Sequence, residues 1–151
     1  MAVSREDILR HCEPLAARIA ELGTASPEAL VFALDEVNTD ALEATLLAAH
    51  AAGWLTPKEA GGVKFGRVSR PDPATHGLSI DAVDMQGPAA GAHTHPRGEV
   101  ELCIDLAGEP RFDGKRQRFI AYPPGSRHVP TVSEGRMLIL YFLPGGEIVF
   151  E

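Results

Sequence analysis

Residues 91–106 read GAHTHPRGEVELCIDL, and this stretch decides the fold. His93 and His95 stand two apart, and so do Glu99 and Glu101. Side chains two apart on an extended chain leave on the same face. Pro96-Arg97-Gly98 between the pairs is a turn, so a run carrying two imidazoles folds back as a run that brings a carboxylate opposite them. A further imidazole, His128, follows the tight turn that opens PPGSRH, residues 123–128.

Working outward, the rest of the chain after Trp54 has the same grammar. Short extended runs separated by Gly and Pro clusters occupy Lys64 to Arg70, Gly77 to Asp84, Ala92 to His95, Glu99 to Leu106, Arg118 to Tyr122, His128 to Val132, Met137 to Leu143 and Ile148 to Phe150. None of the gaps holds a helix long enough for a parallel crossover, so the fold class is mainly β, an antiparallel barrel or sandwich. Residues 1–55 read differently. Ile8, Cys12, Leu15, Ile19 and Leu22 recur at helical spacing from a Ser4/Asp7 capping box to a Gly23 stop, with Pro14 predicting a kink or a break into two helices. A second helix starts at Ser26-Pro27 and turns Leu30, Val31, Leu34 and Val37 to one side; a third runs from about Asp40 to His50 or Ala52. The expected organisation is one structural domain, with helices over 1–55 packed on a β-barrel over 56–151 and Trp54 at the junction.

Composition removes several classes of function. The 151 residues hold 14 Lys and Arg against 21 Asp and Glu, a net charge of -7, which disfavours nucleic acid and anionic membranes as partners. Ala44–Leu55, the longest nearly apolar stretch, contains His50 and falls short of the roughly 20 residues needed to span a bilayer. The opening MAVSREDILRHCEP puts charges where a secretory signal has its apolar centre, so the expected location is cytoplasmic. The two cysteines, Cys12 and Cys103, form neither a disulfide framework nor a cysteine zinc site. The Gly-Gly pairs at 61 and 145 lack the strand-loop-helix context of a phosphate cradle, so no nucleotide cofactor is expected.

Three neutral imidazoles and a carboxylate are a donor set for a borderline divalent transition metal with one or two positions left open. Fe, Mn, Ni and Zn all suit it. HTHPRGE with Gly108 closing its strand, followed by PPGSRH, resembles the two signature motifs of the cupin superfamily, small jelly-roll barrels with a His, His, Glu and His metal site. The resemblance implies His93, His95 and His128 as ligands; for the carboxylate, Glu99 has the usual spacing from His95 and Glu101 the better spacing from Gly108. Glu99 is preferred. Val132 stands where the second motif carries an Asn that is not a ligand.

The helical N-terminal segment, GAHTHPRGEVEL, RFDG (111–114), YPPGSRHVPTV and LYFLPGG together look like the small cupin-type 4-hydroxylaminobenzoate lyases. That likeness implies conversion of 4-hydroxylaminobenzoate and water into 3,4-dihydroxybenzoate and ammonia, a reaction that balances without an oxidant. The alternatives are a cupin dioxygenase or isomerase on a small aromatic or acidic metabolite, and a non-catalytic small-ligand-binding cupin. The candidate proton-moving residues are Glu101 and Tyr122, with Tyr141 as a further hydroxyl. A small aromatic acid needs a cation for its carboxylate, for which Arg67, sharing a strand face with Phe65 and Ser69, leads and Arg70 follows. Arg127 should point away from the histidine site. His76 is ambiguous, His50 is expected at a helix dipole, and Cys103 belongs to the core. A homodimer is the expected assembly.

Overall fold

The computed structural model describes residues 2–23, 25–89 and 91–151. Ser4 caps α1 (Arg5–Leu22) by the reciprocal pair that its spacing to Asp7 predicts: the Ser4 hydroxyl accepts from the Asp7 amide and the Asp7 carboxylate from the Ser4 amide. Pro14 does not divide this helix. Ile8 and Cys12 before it, and Leu15, Ala16 and Ile19 after it, are buried on one face, and that shared burial outweighs the single hydrogen bond proline cannot make. Ser26 caps α2 (Pro27–Leu34), which stops before Val37, and α3 spans Asp40–Ala51.

Among the described residues nine strands follow: β1 Lys58–Ala60, β2 Val63–Ser69, β3 Leu78–Pro88, β4 His93–His95, β5 Glu99–Phe112, β6 Phe119–Tyr122, β7 Ser126–His128, β8 Thr131–Pro144 and β9 Val149–Phe150. They form a six-stranded sheet in the order β1-β2-β3-β8-β5-β6 and a three-stranded sheet in the order β7-β4-β9, with every pairing antiparallel. Three features depart from expectation. β1 is an exposed edge strand with no apolar alternation to betray it. β5 continues past Gly108 and Pro110 because two register shifts against β8 absorb them. The run expected over His128–Val132 divides at Val129-Pro130, where proline offers no amide, so His128 joins the small sheet and Val132 the large one.

The central strands of the large sheet, β3, β8 and β5, are buried on both faces over much of their length. Val100, Leu102 and Ile104 of β5, with Ile80, Ala82, Leu138, Leu140 and Phe142, pack against Ile8, Leu15, Leu34 and Leu46 of the helices. The opposite face carries Cys103, Ile120, Ile139, Tyr141, Met85 and Met137 into a second cluster inside the barrel. Polar contacts also fasten the helices to the sheet. His50 Nε2 lies 2.8 Å from Asp84, which Arg136 also grips, and Arg118 donates to Thr39 Oγ1 at 3.0 Å. Gly66 admits the chain crossing it, since a Cβ there would lie 2.1 Å from the Leu55 carbonyl oxygen. No helix of the described residues is long and apolar enough to cross a membrane.

Because helices and barrel share one core, Leu46→Ala should cost about 3 kcal/mol of unfolding free energy. Urea unfolding followed by helix and by tryptophan signals should stay coincident in a single transition. Separate transitions for the two probes would contradict a shared core.

Candidate metal centre

The small sheet presents the imidazoles. His93 is directly opposite His128 on β7 and directly opposite Phe150 on β9, so His128, His93 and Phe150 form one cross-strand row; His95 pairs with Ser126 on the same face. The turn over Pro96-Arg97-Gly98 then delivers β5. Gly98 adopts φ 83, and a Cβ on it would stand 2.8 Å from the Tyr122 carbonyl oxygen, so the turn needs glycine. Glu99 enters opposite Tyr122 and Glu101 opposite Tyr141.

One ligand atom each from His93, His95, Glu99 and His128 lies within 4.8 Å of all the others. His128 Nε2 is 3.2 Å from Nε2 of both His93 and His95. Glu99 Oε1 is 2.7 Å from His128 Nε2, and Oε2 is 2.9 Å from His95 Nε2. Donor atoms bound at about 2.1 Å and at right angles would stand about 3.0 Å apart, so these edges fit a single ion. Neither Glu99 oxygen makes a geometrically sound hydrogen bond despite its short contacts, and the residue is buried. A sealed carboxylate with its lone pairs unsatisfied and three nitrogens converging beside it is what a cation would complete.

The electrostatics follow from the crowding. Burial, followed by the neighbouring His95 and His128, pushes His93 down to about 4. For His128 burial acts against the imidazolium, but Asp113 and Glu99 outweigh it and lift the ring to about 9. Burial would raise Glu99, yet contacts with His128, His95 and Glu101 hold it well below the usual carboxylate range. Glu101 moves the other way: burial first, and then the charge of Glu99, push it far up, so it keeps its proton at neutral pH.

The expected site residues divide by position. Glu101 is fully buried inside the barrel, with both oxygens lacking partners. Tyr122 lies beside the cluster, its ring centroid 4.6 Å from that of His128, and its hydroxyl donates to Asp113 at 2.6 Å. Tyr141 is buried next to Glu101 in register. Arg67 lies on the same sheet row as Glu101, through Asp81 and Tyr141, which is three strand spacings or about 14 Å away. Its guanidinium is held by Asp81 at 2.9 Å. Arg70 is exposed just past β2. Arg127 points outward into a two-pronged ion pair with Glu151. His76 sits by α1, 3.1 Å from Glu13, and His50 engages Asp84 as well as a helix end.

Two residues beside the cluster escaped the sequence reading. Phe150 is 73% exposed, its ring edge-on to His93 at 5.8 Å, and only the β4–β9 pairing reveals it. Asp113 contacts His128, and its one sequence trace is the Asp-Gly turn signature within RFDG.

A metal requires the His128 lone pair that a proton holds up to about pH 9. Zinc affinity measured by chelator competition should therefore rise about tenfold between pH 7 and pH 8. The metal-free fold should respond oppositely. A raised pKa stabilises it below the ordinary 6.5 and is lost as pH climbs through about 9, whereas the lowered pKa of His93 contributes above 6.5 and is lost as pH falls through about 4. Zinc affinity independent of pH over 7–8 would contradict this account.

Comparison with known proteins assigns the chain to a family. A family model described as "PnbB: 4-hydroxylaminobenzoate lyase" matches residues 30–150. A protein named 4-hydroxylaminobenzoate lyase from Pseudomonas putida is 30% identical over 120 residues, 67% of each chain. Another of that name from Nocardioides sp. (strain LMS-CY) is 31% identical over 108 residues, 66% of this chain and 64% of its own. The chain thus spans about two thirds of the length of these relatives. Among solved structures, a cupin-like protein from Thermotoga maritima overlaps 61% of this chain and 77% of its own, with 13% identity and a TM-score of 0.43. With the family match extending over both sheets and every residue of the histidine-glutamate cluster, the chain belongs to the 4-hydroxylaminobenzoate lyase family.

Proposed function

We propose that this chain is a metal-dependent lyase that converts 4-hydroxylaminobenzoate and water into 3,4-dihydroxybenzoate and ammonia. The observation that carries the reading is the buried cluster of His93, His95, His128 and Glu99 in a chain of this family. These four residues would hold a divalent transition metal, which when bound supplies Lewis acidity for the hydroxylamine oxygen and a site for water. Substrate and water together contain every atom of the two products, so neither oxidant nor nucleotide is needed.

The chain's own groups divide the remaining work. Glu99 stays ionised and serves the ligand set, while Glu101, two residues along the same face, holds a proton at its carboxyl in a dry interior. We assign proton delivery to Glu101. Tyr122 has committed its hydroxyl proton to Asp113, so its part is to wall the site beside His128. Tyr141 lies under Glu101 on the neighbouring strand, where burial and the two glutamates keep its hydroxyl protonated. Arg67, half-exposed and paired with Asp81 on the sheet row that leads to Glu101, remains the proposed holder of the substrate carboxylate.

The test is an anaerobic incubation of metal-loaded protein with 4-hydroxylaminobenzoate, following ammonia and 3,4-dihydroxybenzoate by chromatography. Equimolar release of both is expected, abolished by chelation and by His95→Ala, with the circular dichroism of the variant unchanged. Turnover that survives chelation or His95→Ala would remove the metal from the mechanism, and no release would remove the lyase assignment. Glu101→Gln, which keeps the shape and loses the transferable proton, should lower kcat about a hundredfold or more with zinc content unchanged.

A further inference from the structure

RFDG, residues 111–114, contributes no metal ligand, yet it encloses His128 on two sides. Phe112 is fully buried with its ring edge-on to the His128 imidazole at 6.2 Å. Asp113 follows in the left-handed region at φ 49, a conformation that Asp and Asn tolerate better than other non-glycine residues. Both of its carboxylate oxygens are engaged. Oδ2 accepts from His128 Nδ1 at 2.7 Å and from the Tyr122 hydroxyl at 2.6 Å, and Oδ1 accepts from the Thr131 amide at 2.9 Å. The Asp113 amide in turn donates to the Thr131 carbonyl at 2.8 Å, which ties this turn to the segment leaving His128.

That pattern leaves the imidazole no freedom. A carboxylate oxygen can only accept, so the Nδ1 position must carry the hydrogen, and the nitrogen that gives up its proton to a metal is Nε2, the atom that faces His93, His95 and Glu99. Among the described residues His128 alone of the three histidines has such a support: His95 Nδ1 is buried without a partner, and no side chain accepts from His93 Nδ1. We propose that Asp113 is the positioning residue of the metal centre, fixing the orientation and tautomer of His128 and thereby setting the affinity for a divalent metal. The inference rests on reading His128 as a metal ligand and reaches past it, because it assigns to RFDG a role in loading the metal that is separate from turnover. Outer carboxylates of this kind change metal affinity by about 10–100-fold when removed.

Asp113→Asn is the informative variant. Asparagine keeps the size and the left-handed backbone, but it offers one oxygen where the aspartate uses two, so either the Thr131 amide or the His128–Tyr122 pair faces an NH2 group. Zinc affinity would be measured by chelator competition at pH 7.5 for wild type, Asp113→Asn, Asp113→Ala and His128→Ala. The Nδ1 proton of His128 would be observed by NMR in the zinc-loaded protein. Zinc bound by wild type with affinity about 10–100-fold above that of Asp113→Asn supports the proposal, provided that the His128 Nδ1 proton moves upfield in the variant and the metal-free melting curves agree within a few degrees. Should Asp113→Ala fail to fold, Asp113→Asn alone decides. Equal zinc affinity in wild type and Asp113→Asn, or an unmoved His128 proton, overturns the proposal and leaves the metal reading intact. Zinc binding unchanged by His128→Ala overturns both.

Discussion

A carboxylate sealed inside a barrel among three imidazoles is the constraint on which the rest of this structure depends. Glu99 is buried, ionised and without a sound hydrogen bond, a state that costs several kcal/mol unless positive charge compensates it. In the metal-free chain His128 supplies that charge by remaining protonated to about pH 9. A divalent ion would supply it better, displacing the proton and using the nitrogens that now crowd together at 3.2 Å. Burial, and after it the charge of Glu99, keeps Glu101 neutral, so two glutamates two residues apart hold opposite protonation states.

The barrel supports this arrangement because β5 has two buried faces with different tasks. Val100, Leu102 and Ile104 fasten the strand to the helices, while Glu99, Glu101 and Cys103 look into the barrel. Without the helical layer the outer apolar row would face water, and the strand that carries both glutamates would lose its footing. The small sheet brings the imidazoles to meet them by simple register: His93 opposite His128, His95 opposite Ser126. Structure and chemistry thus converge at the turn over Pro96–Gly98, which joins the imidazole strand to the carboxylate strand.

Much of this was legible because it depends on local periodicity. His-x-His and Glu-x-Glu report their shared faces through the two-residue repeat of a strand, and Ser4, Asp7, Ser26 and Pro27 announce helix starts through capping chemistry. Periodicity could not choose between Glu99 and Glu101, which share a face; the choice depends on how far β5 advances past β4. Pro14 misleads because its penalty is local, whereas the burial that opposes it depends on what α1 packs against. The division at Val129-Pro130, the continuation of β5 through bulges and the pairing of β9 with β4 all depend on partners distant in sequence. RFDG shows Asp113 only as a turn residue for the same reason: its role lies in contacts with Tyr122, His128 and Thr131, 9 to 18 residues away.

Anomalous diffraction from crystals of the zinc-loaded protein tests the central claim most directly. The account predicts one ion per chain bound by Nε2 of His93, His95 and His128 and by a Glu99 oxygen, at about 2.0–2.2 Å, with Glu101 outside the ligand set. An ion held by Glu101 in place of Glu99, or no anomalous peak among the three imidazoles at full loading, would contradict it.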